Sequence, residues 1–432
     1  MKIGIDLSPL QNAHRMRGIG YTLINFINNI STEDRKNNQF VFYVLPSAEA
    51  LFKDPFELIN LGGVEYEIRE IPKRTRIPRF LPGRLNMVIG LANRVLVFSD
   101  FYTNKSRIRD ISGLDVFLQA DQNELLPKSW KLKRYVIVYD LIPYILERDY
   151  WWKYKTARIN GCSRLASIKH AVQRYLKIRK LIVNSKRAKT LLAISEKTKN
   201  DFNRYLKVPK KKIKVSLLGV SITDSSAVNK ISKHRYVDTS WGYVKRRLNV
   251  DLENEKFVLY VGGADKRRKL EDMITAFNHL RAEGYSLKLV LAGDIMLGPK
   301  AITNDTVADA LSSSSYIDDI IFMGFVDDST KDWLYKNALA YIFPSRYEGF
   351  GLPIIEAMAL QCPVISYRNE AVEEVAGHSP QYAADEYGIY KAIKKMYDGE
   401  QHIQLSSQDN STIVAKYSWR NTSKSILREI TK

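Results

Sequence analysis

The chain has 432 residues, of which 45% are hydrophobic and 11% aromatic, so it can bury an extensive core, is long enough for two domains and is not a disordered chain. Its formal net charge of +20 calls for an anionic partner, such as nucleic acid, phosphorylated small molecules or an acidic membrane surface. Its two cysteines, Cys162 and Cys362, exclude a disulfide framework and share no metal-ligand spacing with the six histidines.

The start of the chain and its hydropathy predict a cytoplasmic protein. Residues 1–6 read directly as a strand, without the charged start, apolar middle and cleavage site of a secretory signal. No uncharged apolar run approaches the ~20 residues that a transmembrane helix requires. We therefore expect neither export nor a membrane span.

Short apolar runs separated by helical patterns fill the first half of the chain. The first helix is predicted over residues 21–30. Predicted strands cover residues 2–6, 40–45, 116–119, 135–139, 180–184 and 212–218. Strands of this kind between helices are typical of a parallel, doubly wound sheet. The polar stretch over residues 221–239 is interpreted as a linker.

The second half repeats the same alternation. Predicted strands cover residues 257–261, 286–292, 320–323, 339–343 and 363–366, with helices over 270–280, 329–338 and 352–360. The fold class is therefore α/β, with two Rossmann-like doubly wound domains, residues 1–220 and 221–415, facing each other across a cleft that is the default ligand site. A last helix, over residues 419–430 of the 416–432 segment, has no placement that the sequence determines.

A glycine turn flanked by two acids follows the strand that ends at Phe343. Gly349 and Gly351 allow a ligand to approach the backbone at a helix N-terminus, where a diphosphate would be favoured. Glu348 before the helix and Glu356 inside it can accept hydrogen bonds from a polyhydroxylated ligand. The alternative is an ordinary surface helix, with one acid that complements the helix dipole and one that is solvated.

A second glycine turn carries four consecutive cations, from Lys266 to Lys269, after Gly262 and Gly263. It lacks the spacing of a Walker loop. Cations at a helix N-terminus oppose the dipole, so a bound anion would relieve the repulsion. The alternative is a solvated basic turn.

Two further features lie in the first half. Gly18 and Gly20 join the first strand to the first helix, where they could admit a ligand or simply form a tight turn. Asp140 follows a strand, where it could face a ligand or cap the next turn.

The run from Phe343 to Val364 resembles the donor-site signature of retaining glycosyltransferases of family 4, which have the GT-B fold. It contains Pro344-Ser345, the segment Glu348 to Pro353, Glu356-Ala357-Met358 and Cys362-Pro363-Val364. Weaker resemblances occur in the family's order from residue 3 to about residue 375. Gln361 departs from the pattern because it stands where members usually have glycine, and Tyr139 stands where many have histidine.

The resemblance implies a role for each matching residue. Glu348 would contact the donor sugar, Glu356 the ribose hydroxyls, and Arg268, with Arg267 beside it, the diphosphate. Catalytic roles would fall to Glu348, Arg268 and Asp140. Donor contacts would come from Gly18, Gly20, Gly263, Arg267, Arg268, Glu348, Gly349, Phe350, Gly351, Leu352 and Glu356.

The same resemblance implies transfer of a hexose, with retention, from a nucleoside diphosphate sugar to a hydroxyl of a glycan. The Arg-Gly-Ile-Gly motif of residues 17–20 resembles a subgroup of polysaccharide and O-antigen mannosyltransferases, so GDP-mannose is the first expected donor and a UDP-sugar the second. No cofactor or metal is expected. The acidic pairs Asp318-Asp319 and Asp327-Asp328 are better explained as solvated turns.

Basic patches suggest where an anionic partner could bind. Residues 151–190 contain twelve Lys and Arg and no acid, and a second patch comprises Lys73, Arg74, Arg76, Arg79 and Arg84. With Trp151 and Trp152, they suit anionic headgroups at the inner face of the membrane and a lipid-linked acceptor. One alternative is a GT-B enzyme that makes a soluble disaccharide or glucan. The other is a nucleic-acid-binding protein, although no recognition motif is present.

Overall fold

The computed structural model describes residues 1–15, 17–62, 64–72, 110–127, 129, 131–146, 164–220, 252–293, 296–302, 304–400, 412 and 415–432. The side chains of the helix that begins at Arg164 are described from Tyr175 onwards. The chain divides into two compact units. The first comprises Met1–Gly219 and Trp419–Lys432, and the second comprises Val220–Ser418.

A seven-stranded sheet forms the centre of the first unit, in the order β3-β2-β1-β4-β5-β6-β7. Every neighbouring pair is parallel. The strands are β1 (Lys2–Asp6), β2 (Gln39–Val44), β3 (Tyr66–Glu70), β4 (Val116–Gln119), β5 (Lys133–Val138), β6 (Thr190–Ala193) and β7 (Ile213–Val215). The helices are α1 (Gly18–Asn28), α2 (Thr32–Asn37), α3 (Ile142–Ile145), α4 (Arg164–Arg187) and α5 (Glu196–Leu206).

The second unit contains a six-stranded parallel sheet in the order β10-β9-β8-β11-β12-β13. The strands are β8 (Phe257–Val261), β9 (Lys288–Ala292), β10 (Ile320–Gly324), β11 (Ala340–Phe343), β12 (Val364–Tyr367) and β13 (Gln381–Ala383). The helices are α6 (Leu270–Ala282), α7 (Asp305–Ser312), α8 (Asp328–Asn337), α9 (Leu352–Ala359), α10 (Glu370–Ala376) and α11 (Glu386–Tyr397). Apolar residues of α6 and α11 pack on the sheet to form one core.

Both sheets confirm the predicted α/β class, because each has the strand order of a doubly wound Rossmann-like fold. The order reverses between β1 and β4 in the first sheet and between β8 and β11 in the second. In sheets of this kind, ligands bind at the carboxyl ends of the strands on either side of the reversal. Functional side chains are therefore expected at these two positions.

The predicted strand over residues 180–184 is wrong, because these residues lie in α4. The buried positions Leu181, Asn184, Ser185 and Ala188 are spaced three and four residues apart, as on one face of a helix. An apolar run as short as Leu181 to Val183 does not by itself distinguish helix from strand. The strand that takes this place in the sheet is β6, and the predicted linker over residues 221–239 lies outside the described residues.

The C-terminal helix α12 (Trp419–Ile430) belongs to the first unit. Its buried face begins at Trp419, whose ring meets that of Tyr21 edge-on at 5.7 Å. Ser423 donates a hydrogen bond of 2.7 Å to the carbonyl of Phe26. The structure thus gives this helix the placement that the sequence left open. Within the described residues, no helix combines the length and the apolar composition that crossing a bilayer requires.

Candidate functional site

The two glycine turns identified in the second half of the sequence meet at the reversal of the second sheet. One follows β8 and the other follows β11, and these strands are parallel neighbours. The amide of Arg346 in the second turn donates a hydrogen bond of 2.9 Å to the carbonyl of Arg267 in the first. Side chains 81 residues apart in sequence are thereby brought to the same edge of the sheet.

Glu348 is the acceptor at the centre of this meeting point. Its Oε1 accepts hydrogen bonds from Arg267 Nη1 at 2.5 Å and from Ser345 Oγ at 3.0 Å. Arg268 Nε lies 3.4 Å from the same oxygen. Glu348 is only 8% exposed, so its charge is balanced by two arginines rather than by solvent. Its carboxylate is therefore held in one orientation before any ligand binds.

Arg268 is held less tightly than Arg267. Its Nη1 donates to the Tyr260 hydroxyl at 3.2 Å, and that hydroxyl donates to the carbonyl of Gly263 at 2.6 Å. The Arg268 side chain is 17% exposed, compared with 8% for Arg267. Burial lowers the pKa of Arg268, but Tyr260 and Glu348 outweigh that effect and raise it. The guanidinium is thus a permanent cation at the reversal of the sheet.

Gly262 makes room for the Arg268 guanidinium. A Cβ at this position would lie 2.1 Å from Arg268 Nη1 and 2.9 Å from the Tyr260 hydroxyl. Its φ of +150° is also rare for residues with a side chain. Gly263 was the glycine predicted to contact a ligand. This role of Gly262 was not predicted, because the guanidinium that requires it lies six residues further along the chain.

The four cations lie directly before a helix, as predicted, with Lys269 at the N-cap position of α6. Lys266–Arg268 form a single 3-10 turn, and α6 begins only at Leu270. The first turn of α6 contains Glu271 and Asp272, which complement the dipole. Lys269 Nζ pairs with Glu271 at 2.8 Å. The cations therefore precede the helix. Arg267 is buried, so the alternative of a solvated basic turn does not hold for this residue.

Glu356 is buried on the second turn of α9, at 8% exposure. Its Oε1 accepts from Lys331 Nζ at 3.1 Å, and its Oε2 lies 3.4 Å from the hydroxyl of Tyr335. Both partners belong to α8, and neither was identified from the sequence. Glu356 is therefore not the solvated acid of the alternative interpretation. A carboxylate can accept about four hydrogen bonds, so capacity for a ligand remains.

The start of α9 follows the prediction. Gly351 precedes the helix with a φ of +112°, and Pro353 lies in the first turn, where its missing N–H costs nothing. Phe350 is buried and its ring meets Tyr417 edge-on at 5.7 Å. Any contact of Phe350 with a ligand would therefore come from its backbone. Leu352 is the first residue of the helix.

Gln361 closes α9 in a left-handed conformation, with a φ of +58°. Its amide donates to the carbonyl of Met358 at 3.0 Å, and the amide of Cys362 donates to that of Ala357 at 2.9 Å. These two bonds define a Schellman motif, in which glycine is the usual residue at this position. Glutamine is thus strained here, although the cap geometry itself is regular.

Comparison with known families now identifies this half of the chain. The family described as Glycosyl transferases group 1 matches residues 245–402, a range that includes both glycine turns. The second unit carries a glycosyl transferases group 1 domain.

Similar proteins include glycosyltransferases of bacteria and archaea. An uncharacterized glycosyltransferase of Methanocaldococcus jannaschii is 25% identical over 54% of this chain and 57% of its own length. O-antigen chain mannosyltransferase B of Escherichia coli is 26% identical over 38% of this chain and 43% of its own length. The chain thus matches about half of the length of these relatives.

A solved structure supports the fold over the whole chain. The crystal structure of Anabaena HepE in complex with UDP-glucose superposes with a TM-score of 0.61 at 14% identity. The match covers 100% of this chain and 99% of HepE. Together with the two Rossmann-like sheets, this likeness confirms the predicted GT-B fold.

The predicted site residues outside the glycosyl transferases group 1 domain lie near the carboxyl edge of the first sheet. A Cβ at Gly20 would lie 2.2 Å from the carbonyl oxygen of Arg15, so the loop before α1 requires glycine there. Gly18 begins α1 and has open space around it. Asp140 Oδ1 accepts from the amide of Ile142 at 2.9 Å, the turn-capping contact of the alternative interpretation.

Two buried acids that were not predicted, Asp6 and Asp121, lie at the same edge. Asp6 ends β1 and is 2% exposed, and its carboxylate accepts from the amide of Ser8 and from Gln119 Nε2. Burial raises the pKa of Asp6 to about 6. Burial, and then the nearby Glu124, also raises the pKa of Asp121. Asp6 is the last residue of β1, and Asp121 follows β4 by two residues.

The acidic pairs considered as metal ligands have other partners. Asp319 pairs with Lys288 at 2.6 Å and Arg281 at 2.7 Å. Asp327 caps α8 through the amide of Thr330 at 2.7 Å. In the described part of the chain, no group of three His, Cys, Asp or Glu side chains is arranged to hold a metal ion. Of the predicted basic patches, residues 73–84 and Trp151 and Trp152 lie outside the described residues.

Proposed function

We propose that the chain is a retaining glycosyltransferase that moves a hexose from a nucleoside diphosphate sugar to a hydroxyl of a glycan acceptor, in the synthesis of a cell-surface polysaccharide. The observation that carries this proposal is the buried contact of Glu348 with Arg267 and Arg268 at the reversal of the second sheet. It places an oriented carboxylate and a less buried cation at the position where Rossmann-like sheets bind nucleotides. The glycosyl transferases group 1 match over the same residues supports it.

Each side chain has a distinct role in this proposal. Glu348 accepts hydrogen bonds from the donor sugar, and Glu356 accepts them from the ribose. Arg268 and the backbone at Gly349 to Gly351, which leads into the start of α9, stabilise the diphosphate as it leaves. The acceptor hydroxyl then attacks from the same face, so no side chain needs to act as a nucleophile. The positive charge for the leaving group comes from the chain itself rather than from a metal ion.

In the first unit, Asp140, Gly18 and Gly20 are the proposed contacts to the acceptor and to the donor phosphate. They lie at or near the carboxyl edge of the sheet, which is the binding edge in this fold. Their capping and packing contacts also position the loops themselves. Substitution of Asp140 by Asn, which keeps the cap, would separate the chemical role from the structural one.

GDP-mannose is the first proposed donor and a UDP-sugar the second. Support for mannose comes from the mannosyltransferase named among the relatives and from the Arg-Gly-Ile-Gly motif. The acceptor is proposed to be lipid-linked, and the enzyme to work at the inner face of an anionic membrane. Thin-layer chromatography of products made with free sugar or with lipid-linked acceptor would distinguish this from an enzyme that makes a soluble disaccharide or glucan.

Donor hydrolysis by the purified protein tests the proposal. We expect turnover of one of a panel of GDP- and UDP-sugars, and a loss of about 10- to 150-fold in Glu356→Ala, the value of a hydrogen bond to a charged group. Glu386→Ala, which removes an exposed acid at the start of α11, is the matched control. Equal turnover in both variants, with folding retained, would overturn the assignment of Glu356.

A further inference from the structure

A second group of cations lies on the first unit, at the edge opposite the expected ligand-binding edge. Three segments, residues 131–134, 186–189 and 210–214, lead into or begin β5, β6 and β7. They contain ten Lys and Arg and no Asp or Glu. Because these three strands are parallel neighbours, their amino ends meet at one edge of the sheet. We call these ten residues the cationic edge.

Three members of the cationic edge donate hydrogen bonds to backbone carbonyls, and two of these carbonyls are consecutive. Arg134 Nη1 donates to the carbonyl of Pro127 at 3.1 Å, and Arg187 Nη1 donates to the adjacent carbonyl of Leu126 at 3.1 Å. Lys212 Nζ donates to the carbonyl of Lys186, next to Arg187, at 3.0 Å. The three charged groups are therefore close together, although they come from three separate segments.

Two of these three cations, Arg134 and Lys212, lack an acidic partner within the described part of the chain. Among the described residues, no carboxylate lies within ion-pair distance of Arg134 or Lys212. Arg134 Nε is buried and has no hydrogen-bond partner. Burial, followed by repulsion from Arg134, lowers the pKa of both Arg187 and Lys212. The nearby acid Glu429 is already paired with Lys432.

Like charges that are half buried together are unfavourable unless an anion joins them. A phosphate group suits this arrangement, because guanidinium groups donate to two of its oxygens at once and an ammonium adds a point charge. We propose that Arg134, Arg187 and Lys212 form a binding site for a phosphate group, separate from the donor site. The exposed Lys189, Lys210 and Lys211 surround it and raise the local concentration of anions.

The phosphate could belong to a lipid headgroup or to a free phosphorylated molecule, and both present the same oxygens. The site goes beyond the proposed glycosyl transfer and needs none of its residues. Its test therefore uses binding and not turnover, so that failure of one proposal is distinguishable from failure of the other.

The first measurement is the binding of inorganic phosphate to the full chain, by thermal shift at constant ionic strength with sodium chloride as the reference salt. We expect Lys212→Met to weaken the phosphate-specific stabilisation at least tenfold in affinity, roughly the value of a charged hydrogen bond. Lys336→Met, an exposed lysine on α8, is the control that should keep the wild-type response. Phosphate bound at the donor site should stabilise the wild type and both variants equally, so it does not affect the difference between them. An unchanged affinity in Lys212→Met would overturn the site.

The second measurement is sedimentation with vesicles of phosphatidylcholine alone or mixed with phosphatidylglycerol. The variant Lys189→Ser/Lys210→Ser/Lys211→Ser changes only exposed side chains, so it keeps the test valid if Lys212→Met does not fold. Each lysine should contribute roughly a fivefold factor, so the triple variant should bind anionic vesicles about 100-fold more weakly.

That loss would assign the phosphate to a lipid, whereas phosphate binding without vesicle binding would assign it to a free molecule. Both outcomes support the site. Binding of a single-stranded oligonucleotide that the triple variant loses, without any specific response to phosphate or vesicles, would overturn it in favour of a nucleic-acid surface.

Discussion

Replacement of Arg267 by Met tests how Glu348 is held. Methionine has a similar length but no charge, so it leaves the apolar packing largely in place and removes the ion pair with Glu348, together with a longer one of 3.6 Å to the half-exposed Asp265. Both the Arg267 and the Glu348 side chain are buried, so solvent cannot replace the lost partner. The variant therefore leaves a buried carboxylate with one cation fewer.

The expected cost follows from the remaining contacts. Removing one member of a buried ion pair costs ~3–5 kcal/mol, because the other charge stays buried. Here Arg268 Nε remains 3.4 Å from Glu348 Oε1, and Ser345 Oγ still donates at 3.0 Å. We therefore expect a loss of about 2–3 kcal/mol in the free energy of unfolding. In a unit of about 200 residues this lowers the Tm by roughly 5–10 °C.

Thermal unfolding followed by circular dichroism measures this effect. Arg368→Met is the matched control, because Arg368 pairs with Glu373 at 2.5 Å in the same unit but both side chains are largely exposed, so its loss should cost less than about 1 kcal/mol. The double variant Arg267→Met/Glu348→Gln should recover about half of the lost stability, since it removes the buried charge as well. Equal Tm values for Arg267→Met and Arg368→Met, or a double variant less stable than Arg267→Met, would refute the reasoning.

Three further variants have defined outcomes. Gln361→Gly relieves the left-handed strain at the end of α9 and should raise the free energy of unfolding by about 0.5–1 kcal/mol, a gain that urea titration would detect and that an unchanged midpoint would contradict. Asp6 has a folded pKa of about 6 against 3.8 when unfolded, so the folded state binds the extra proton and stability falls as the pH rises from about 4 to about 6. Asp6→Asn should remove that fall and add about 1–3 kcal/mol at pH 7; an identical pH profile of Tm in both proteins would count against it. Gly262→Ala would place a Cβ 2.1 Å from Arg268 Nη1, so donor turnover should drop at least tenfold with folding retained, and wild-type turnover would exclude a positioning role.

The repeating parts of the fold were predictable because they depend on local pattern. The predicted strand over residues 257–261 and the helix that follows Gly351 are found at or close to their predicted bounds. Residues 180–184 were assigned wrongly because the helical spacing becomes visible only when buried Asn184 and Ser185 are counted as part of the inner face. Polar residues on a buried face carry no such signal in the sequence.

The pairings within the candidate site were not predictable. The donor-site resemblance named Glu348 and Glu356 but not what holds them, because Arg267 and Lys331 come from other elements. Only the strand order, which makes β8 and β11 neighbours, brings Arg267 to Glu348. Two segments that each look like a surface turn thereby form one buried ion pair, in which Arg267 is more deeply buried than Arg268.

The return of α12 to the first unit makes that unit a split domain. The chain leaves it after Gly219 and re-enters at Trp419. Hydrogen bonds join the segments where the chain leaves and re-enters the first unit. Thr422 Oγ1 donates to the carbonyl of Leu217 at 2.7 Å, and the Ser216 and Ser425 hydroxyls are 2.9 Å apart. The second unit is thus an insert that can be excised, and a short linker from Gly219 to Trp419 should yield an autonomous first unit. Such a protein, lacking both glycine turns, would test directly whether this half of the chain binds a glycan acceptor on its own.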